Sequence, residues 1–203
     1  MSIVLQGSTS GSVTLQEPAV AGSTTINLPA STGTMALLQT PSFATTIGVG
    51  GATPSTSGAG ITFPATQSAS TDANTLDDYE EGTWTPSVGG NATYTFRSAY
   101  YTKIGNFVKL RFAFQINSLG TGSATTISGI PFTPSNDNPS IVGGVVCYAN
   151  TLATAALYLG IYCQSDNNIY FFSRNTSATG ATTQQTAVIG NSFQAYCEIS
   201  YQV

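Results

Sequence analysis

The clearest pattern in the chain is an alternation of apolar and polar side chains over residues 108–116. The apolar positions are Val108, Leu110, Phe112, Phe114 and Ile116. Between them stand Lys109, Arg111, Ala113 and Gln115. A period of two places one set on each face of an extended strand, whereas a helix would scatter the apolar set around its axis. The pattern therefore predicts a β-strand that buries its apolar face in a core.

The same alternation recurs in later segments of the chain. The apolar positions that share one face there are Leu157, Leu159, Ile161, Cys163, Ile169, Phe171, Cys197, Ile199 and Tyr201. Residues 141–148 are apolar on both sides, which predicts a strand covered on both faces. Turn-forming clusters separate these segments, and no stretch keeps a helical period. About eight strands over residues 76–203 predict an all-β fold with a jelly-roll-like β-sandwich.

The chain before residue 76 divides into two parts. Residues 1–38 hold four short β units, at 3–6, 12–16, 24–28 and 35–38, separated by Gly, Ser and Pro. Because each unit is too short to bury a core alone, residues 1–38 are predicted to be a β-rich segment for attachment or oligomerisation. Residues 39–75 are rich in Ser, Thr and Gly and are predicted to be a linker or shaft.

The chain is unusually poor in charge. Charged residues make up 7% of it, against roughly 25% in average soluble proteins. This composition predicts a surface that is neutral or is covered by partners. The chain has five Lys and Arg in total and a net charge of −4. So few basic side chains could neutralise few phosphates, so nucleic-acid binding is not predicted. No basic and apolar leader pattern and no membrane-spanning apolar run is visible, so synthesis in the cytoplasm without membrane insertion is expected.

The side chains that usually carry catalysis are scarce. The chain has no histidine, which removes the commonest general base and zinc ligand. Cys147, Cys163 and Cys197 are widely spaced, which favours buried free thiols over a metal or redox site. No catalytic residue, metal site or cofactor is predicted, and the chain is expected not to be an enzyme.

One acidic group stands close in sequence to one basic group. The acids are Asp77, Asp78, Glu80 and Glu81. The bases are Arg97, Lys103, Lys109 and Arg111, four of the five in the chain. The acids lack the spacing of an EF-hand and show no sign of the facing pair of a glycosidase. We therefore predict that the two groups form charge pairs, either within the domain or between subunits.

Aromatic side chains occupy the second face of two predicted strands. They are Tyr158, Tyr162, Tyr170 and Phe172. Such a surface either packs at an interface or stacks on sugar rings. The loops at 135–139 and 175–183 offer neutral hydroxyl and amide groups for glycan contact.

Three strings carry a resemblance to a known family. They are NTLDDYEEGTWTP at 74–86, YTKIGN at 101–106 and ISGIPF at 127–132. Together they resemble a C-terminal module that recurs in tail fibres and other virion proteins of tailed bacteriophages. The opening LQGSTSGSVTLQ at 5–16, with TTINLP at 24–29, resembles the repeat that precedes it.

The resemblance implies a non-enzymatic virion structural protein that forms a homotrimer. It implies a short tail fibre that docks through residues 1–38 on other virion proteins and exposes its C-terminal domain to a host-surface glycan. Two alternatives remain open at this point. In the first alternative the chain is a capsid decoration, cement or head-fibre protein, and in the second it is a glycan-degrading tailspike.

Overall fold

The computed structural model describes most of the chain. The described residues are 2–6, 9–16, 46–67, 69–72, 74–137, 141–174 and 185–203. They form strands, bridges and turns without any helix, which confirms the predicted all-β class. The β units predicted at 24–28 and 35–38 lie outside these residues. The chain divides into two compact units, Met1–Ser42 and Phe43–Val203.

The described part of the first unit is a β-hairpin. Strand β1 (Ser2–Gln6) pairs antiparallel with β2 (Ser12–Gln16), so that Ile3 lies opposite Leu15. The second unit begins with a short parallel pair, β3 (Thr46–Gly48) and β4 (Gly60–Thr62), within the segment predicted as linker.

An eight-stranded antiparallel sheet makes up the rest of the second unit. Its strands are β5 (Tyr79–Thr83), β6 (Thr93–Ile104), β7 (Phe107–Ser118), β8 (Thr126–Ile127), β9 (Val142–Asn150), β10 (Tyr158–Gln164), β11 (Asn168–Arg174) and β12 (Gln194–Gln202). Their order across the sheet is β5-β6-β7-β12-β9-β10-β11-β8. The sheet is curled and is compatible with the predicted β-sandwich.

Strand β9 joins the two halves of the curled sheet, which are β5-β6-β7-β12 on one side of it and β10-β11-β8 on the other. Its residues 145–150 pair with β12, and its residues 142–144 pair with β10. Across the interior, the Phe193 ring lies 5.7 Å from the Phe114 ring of β7 and 5.6 Å from the Phe171 ring of β11. The two sheet ends also meet, because Ser87 and Ser128 exchange backbone hydrogen bonds of 3.1 and 2.8 Å.

The core lies between the two halves. The structure buries all five alternating side chains of β7: Val108, Leu110, Phe112, Phe114 and Ile116. Each such side chain stabilises the fold by about 1.5–3 kcal/mol. Ile161, Cys163, Ile169, Phe171 and Ile199 are buried beside them. Leu157, predicted to share this face, is instead exposed just before β10 begins.

Candidate interaction surface

The outward side of the curled sheet carries aromatic and aliphatic side chains as well as charged ones. We call the part on β6, β9 and β12 the central patch; it consists of Phe96, Tyr100, Val145, Tyr148 and Tyr196. The Tyr196 ring lies 5.7 Å from Tyr148 and 6.3 Å from Phe96, between centroids. An antiparallel sheet normally presents polar side chains on its solvated face. The central patch departs from that rule.

Strand β9 is where the sequence prediction of burial is wrong. The sequence predicts that residues 141–148 are covered on both faces, but the inward side chains of β9 are only half-buried and most of the outward ones are exposed. Val145 is 53% and Tyr148 49% exposed on the outward side. Both faces of β9 are apolar in sequence, but the residues that the structure describes pack against only one of them.

Cys147 is the second exception to predicted burial. Between Tyr196 and Cys197 the pairing of β12 with β9 shifts by one residue, because Tyr148 faces Tyr196 and Val146 faces Cys197. The extra residue of this β-bulge is Cys147, which is exposed as a free thiol. Cys163 and Cys197 are free and buried, as predicted. Burial raises the pKa of Cys163 to about 11 and raises the pKa of Cys197 as well.

Charged side chains lie between the members of the central patch, because Arg111 stands opposite Tyr100 and Glu198 stands opposite Val145. These charges are paired with one another. Lys109 Nζ lies 2.9 Å from Glu198 Oε1, and Arg111 Nε lies 3.7 Å from Glu198 Oε2. The register places Arg111 directly opposite Glu198 on the neighbouring strand. Lys109 and Arg111 thus contact a carboxylate that the sequence prediction did not include.

A second aromatic group, the hairpin patch, lies on β10 and β11; it consists of Tyr158, Tyr162, Tyr170 and Phe172. The Tyr162 and Tyr170 rings stack 5.1 Å apart at an interplanar angle of 16°. Phe172 lies 5.7 Å from Tyr158 and 6.0 Å from Tyr162. The Phe172 ring covers Gly160, where an added Cβ would come within 2.5 Å of it. Because the Tyr162 and Tyr170 rings each use one face to stack on the other, this pair is better arranged for protein packing than for stacking on a sugar ring.

Tyr170 is anchored at the turn between the two strands. Its hydroxyl donates a hydrogen bond to the Asp166 carboxylate. That hydrogen bond, then burial, then the negative charge of Asp166 raise the pKa of Tyr170. Burial acts to raise the pKa of Asp166, but hydrogen bonds from Tyr170, Gln164 and Asn168 outweigh it, so the pKa is lowered.

The predicted charge pairing is realised at one buried pair. Lys103 Nζ donates to Asp78 Oδ2, and both side chains are 5% exposed. Lys103 also donates to Gln67 Oε1 at 3.3 Å and lies 5.7 Å from the centre of the Phe132 ring. The pair fastens the segment before β5 to β6.

The other acids and Arg97 have uncharged partners. Asp77 accepts hydrogen bonds from the Ser70 backbone N–H at 2.8 Å and from Gln67 Nε2 at 3.2 Å. The Ser70 N–H is the main cause that lowers the pKa of Asp77. Glu80 and Glu81 accept from tyrosine hydroxyls, of Tyr101 at 3.4 Å and Tyr79 at 3.1 Å.

Arg97 lies on the inward side of β6, away from the acidic group. It donates to the Pro86 carbonyl oxygen at 3.3 Å, and its guanidinium lies 4.1 Å from the centre of the Tyr94 ring.

The three strings at 74–86, 101–106 and 127–132 fold against one another. Besides the Asp78–Lys103 pair, the Gly105 N–H donates to the Asp78 carbonyl oxygen at 2.9 Å. The Tyr101 and Phe132 rings meet edge to face at 5.2 Å. The sequence pattern assigns no contact to Phe132, and its position at the end of the string at 127–132 is the one feature that points to it. We call this group, with Trp84 packed on Phe112 at 5.3 Å, the motif cluster.

No family model and no curated protein sequence matches the chain. Among the residues that the structure describes, no group of three or more Asp, Glu, Cys or His side chains is placed to hold a metal ion. The same residues contain no helix of the length and hydropathy needed to cross a membrane.

The loops proposed for glycan contact are only partly described. Residues 175–184 and 138–140 lie outside the described residues. In the remainder, the Ser165 hydroxyl donates to Asn136 Oδ1 at 3.2 Å and the Ser135 hydroxyl donates to Asp137 at 2.8 Å. This brings the turn at 135–137 beside the β10–β11 turn at one end of the sheet.

Proposed function

We propose that this chain is a non-enzymatic structural protein of a tailed-bacteriophage virion, a short tail fibre that assembles as a homotrimer. In this proposal residues 1–38 dock on other virion proteins, and residues 76–203 form the exposed domain. The observation that carries it is the motif cluster. Three strings that are separate in sequence, and that together resemble the phage fibre module, pack against one another in the fold.

The contacts of the motif cluster support a structural role for these strings. The Asp78 carboxylate is occupied by Lys103, and Glu80 accepts from the Tyr101 hydroxyl. A general acid or base must reach a reacting group in a cleft. These carboxylates instead hold the edge strand β5 and the segment before it against β6. Fixing the entry of the chain into its terminal domain suits a fibre protein.

Contact with a host-surface glycan forms part of the proposal. The turns at 135–137 and 165–168 bring hydroxyl and amide groups together at one end of the sheet. These hydroxyl and amide groups, beside the Asp137 and Asp166 carboxylates, offer donors and acceptors for the hydroxyl groups of a sugar. The stacked arrangement of the hairpin patch favours these turns over the aromatic side chains as the glycan-contacting region.

Locating the protein on the particle tests the proposal directly. Antibody raised against residues 79–203 and conjugated to gold should label the distal tail in electron micrographs of intact phage. Label spread over the head would replace the tail-fibre proposal by a capsid decoration or head-fibre role. Purified particles that lack the protein would refute a virion role altogether.

The non-enzymatic part has its own assay. The purified chain is incubated with host surface polysaccharide, and new reducing ends are measured over time against a heat-denatured control. We expect no increase above the control. Sustained release of reducing ends would contradict the proposal and favour a glycan-degrading tailspike.

A further inference from the structure

We propose that the side chains of Lys103 and Asp78 condense to an amide, which joins strand β6 covalently to the segment before β5. Both side chains are 5% exposed, and Lys103 Nζ donates to Asp78 Oδ2 in direct contact. The inference goes beyond the proposed function and does not depend on it. It concerns a bond that the chain forms within itself after folding.

The backbone holds the two reacting groups in place. Asp78 is fixed because its carbonyl oxygen accepts a hydrogen bond from the Gly105 N–H at 2.9 Å. Lys103 lies within the ladder that pairs β5 with β6. Holding two reactants in the right orientation raises their effective concentration to about 10⁵–10⁸ M in well-aligned cases. A condensation that is unfavourable between free molecules in water becomes favourable at such a concentration.

The surroundings favour an uncharged product. In the part of the chain that the structure describes, Asp78 and Lys103 are the charged side chains that the fold buries. The centre of the Phe132 ring lies 5.7 Å from Lys103 Nζ, and Gln67 Oε1 accepts from the same nitrogen at 3.3 Å. The penalty of removing two ions from water can exceed their mutual attraction. Because an amide carries no charge, condensation removes that penalty.

Glu80 is placed to carry the proton that the reaction moves. The register sets Glu80 directly opposite Lys103, and Glu80 follows Asp78 by two residues, so all three side chains share the inward face. Residues directly opposite one another have Cβ atoms about 4.5–5.5 Å apart. The hydrogen bond that Glu80 accepts from the Tyr101 hydroxyl is long, at 3.4 Å. Turning the Glu80 carboxylate towards Lys103 therefore gives up little.

The reaction balances without an oxidant or a further reactant. The Lys103 ammonium first gives one proton to the Asp78 carboxylate, which leaves a neutral amine beside a carboxylic acid. The lone pair of the amine then forms the Nζ–Cγ bond, and the C–O bond to the acid hydroxyl breaks. Glu80 takes the second proton from Nζ and passes it to the departing hydroxyl, which leaves as water. The products are one neutral amide and one water molecule.

The ion pair is the state that exists before this reaction. It forms as the chain folds, and the amide accumulates afterwards, because the reaction requires the folded geometry. Measurements of how the ion pair stabilises the fold therefore apply to freshly folded protein.

Trypsin digestion of the fully denatured protein, followed by mass spectrometry, detects the amide. Trypsin cuts after the basic residues of the chain, which are Arg97, Lys103, Lys109, Arg111 and Arg174. Unlinked protein therefore gives the peptide 98–103, whereas an amide on Lys103 blocks the cut that releases it. Wild-type protein incubated after folding should give residues 1–97 joined to 98–109, lighter by one water molecule than the two peptides together. Wild-type protein that still yields all of its 98–103 peptide would overturn the inference.

Three variants identify the reacting groups. Lys103→Arg keeps a cation that is too weak a nucleophile to condense, so it should give no linked peptide. Glu80→Gln keeps the ion pair and removes the proton carrier, so linkage should slow by about 100-fold or more. Glu81→Gln is the matched control, because Glu81 is exposed and accepts from the Tyr79 hydroxyl at 3.1 Å; it should link as fast as the wild type.

Urea unfolding before incubation shows that each variant is folded. Equal rates of linkage in Glu80→Gln and Glu81→Gln would overturn the role of Glu80 in proton transfer. A linked peptide in Lys103→Arg would overturn Lys103 as the nucleophile.

The inference and the proposed function fail separately. A protein that is found in the distal tail without the linked peptide keeps its virion role and refutes the amide. A linked protein that is absent from purified particles keeps the amide and refutes the virion role.

Discussion

Two adjacent glycines in β9 lie in opposite surroundings. At Gly144 a Cβ atom would come within 2.7 Å of the Glu198 carbonyl oxygen and of Ile199 Cβ. At Gly143 the nearest atom would be the Ile161 carbonyl oxygen at 4.0 Å. The inward glycine permits close packing of β9 on the core, whereas the outward one leaves room for a methyl group.

We expect opposite effects of alanine at these two positions. Gly144→Ala forces backbone or core atoms to move and should destabilise the protein by about 1–3 kcal/mol. Gly143→Ala restricts the unfolded chain without a clash and should stabilise it by about 0.4–1 kcal/mol. Urea unfolding of both variants at one protein concentration measures the difference. Equal effects would show that the close approach at Gly144 does not constrain the fold.

The buried pair of Asp78 and Lys103 gives a second prediction at this scale. Asp78→Ala leaves the Lys103 ammonium buried without its carboxylate and should cost about 3–5 kcal/mol of unfolding free energy. The double variant Asp78→Leu with Lys103→Met should recover most of that loss, because it removes both charges. Urea unfolding of the single and double variants tests this. A double variant as unstable as the single one would mean that the pair matters for its shape and not for its charge balance.

At the scale of elements, the strands with regular alternation could be predicted and β6 could not. Strand β7 follows its sequence pattern residue by residue. Strand β6 turns Lys103 inward to meet Asp78, and its pairing is irregular between Thr93 and Phe96. Both features break the period of two on which the prediction depends. The sequence prediction included Asp78, the partner of Lys103. It did not include Glu198, the partner of Lys109 and Arg111, because Glu198 lies far from them in sequence.

The β10–β11 hairpin should respond to pH through Tyr170. Its raised pKa means that the folded state favours the neutral phenol. The free energy of unfolding that Tyr170 contributes is therefore fully present below pH 10.0, the pKa of tyrosine in the unfolded chain. It is lost as pH rises through the higher pKa of the folded state. Asp166 acts in the other direction: its lowered pKa gives stability above 3.8 that is lost as pH falls through the folded value.

Replacing Tyr170 tests this dependence. The Tyr170→Phe variant should lose less stability than the wild type between pH 9 and pH 11, as measured by urea unfolding at each pH. Tyr101 and Tyr201, whose pKa values burial also raises, should preserve part of the decline. Tyr158→Phe in the same hairpin is the matched control. An unchanged slope for Tyr170→Phe would argue against the Asp166 hydrogen bond as its cause.

At the scale of the whole molecule, the strand order was beyond the reach of sequence patterns. Periodicity assigns a residue to a strand and a face, but it carries no information on which strands pair. The contact between Ser87 and Ser128 joins the two ends of the sheet. Neither residue has an apolar side chain that could have signalled it.

Joining the sheet ends should protect the protein from aggregation, because unpaired strand edges recruit other chains. Ser87→Pro removes the N–H that donates to Ser128 and should accelerate aggregation on mild heating, as followed by light scattering. Ser87→Ala keeps that N–H and is the control. Equal rates of aggregation of the two variants would show that the Ser87–Ser128 hydrogen bonds do not protect the edge strands β5 and β8 from pairing with other chains.

Strand β12 comes last among the eight strands along the chain, yet it lies between β7 and β9. During translation the other seven strands are therefore synthesised before β12, the strand that pairs with both β7 and β9. Until then β7 and β9 each expose a free edge to the crowded cytosol. Nascent chains should depend on chaperones over this interval, and a stop codon a few residues before 194 should yield a product that proteases remove.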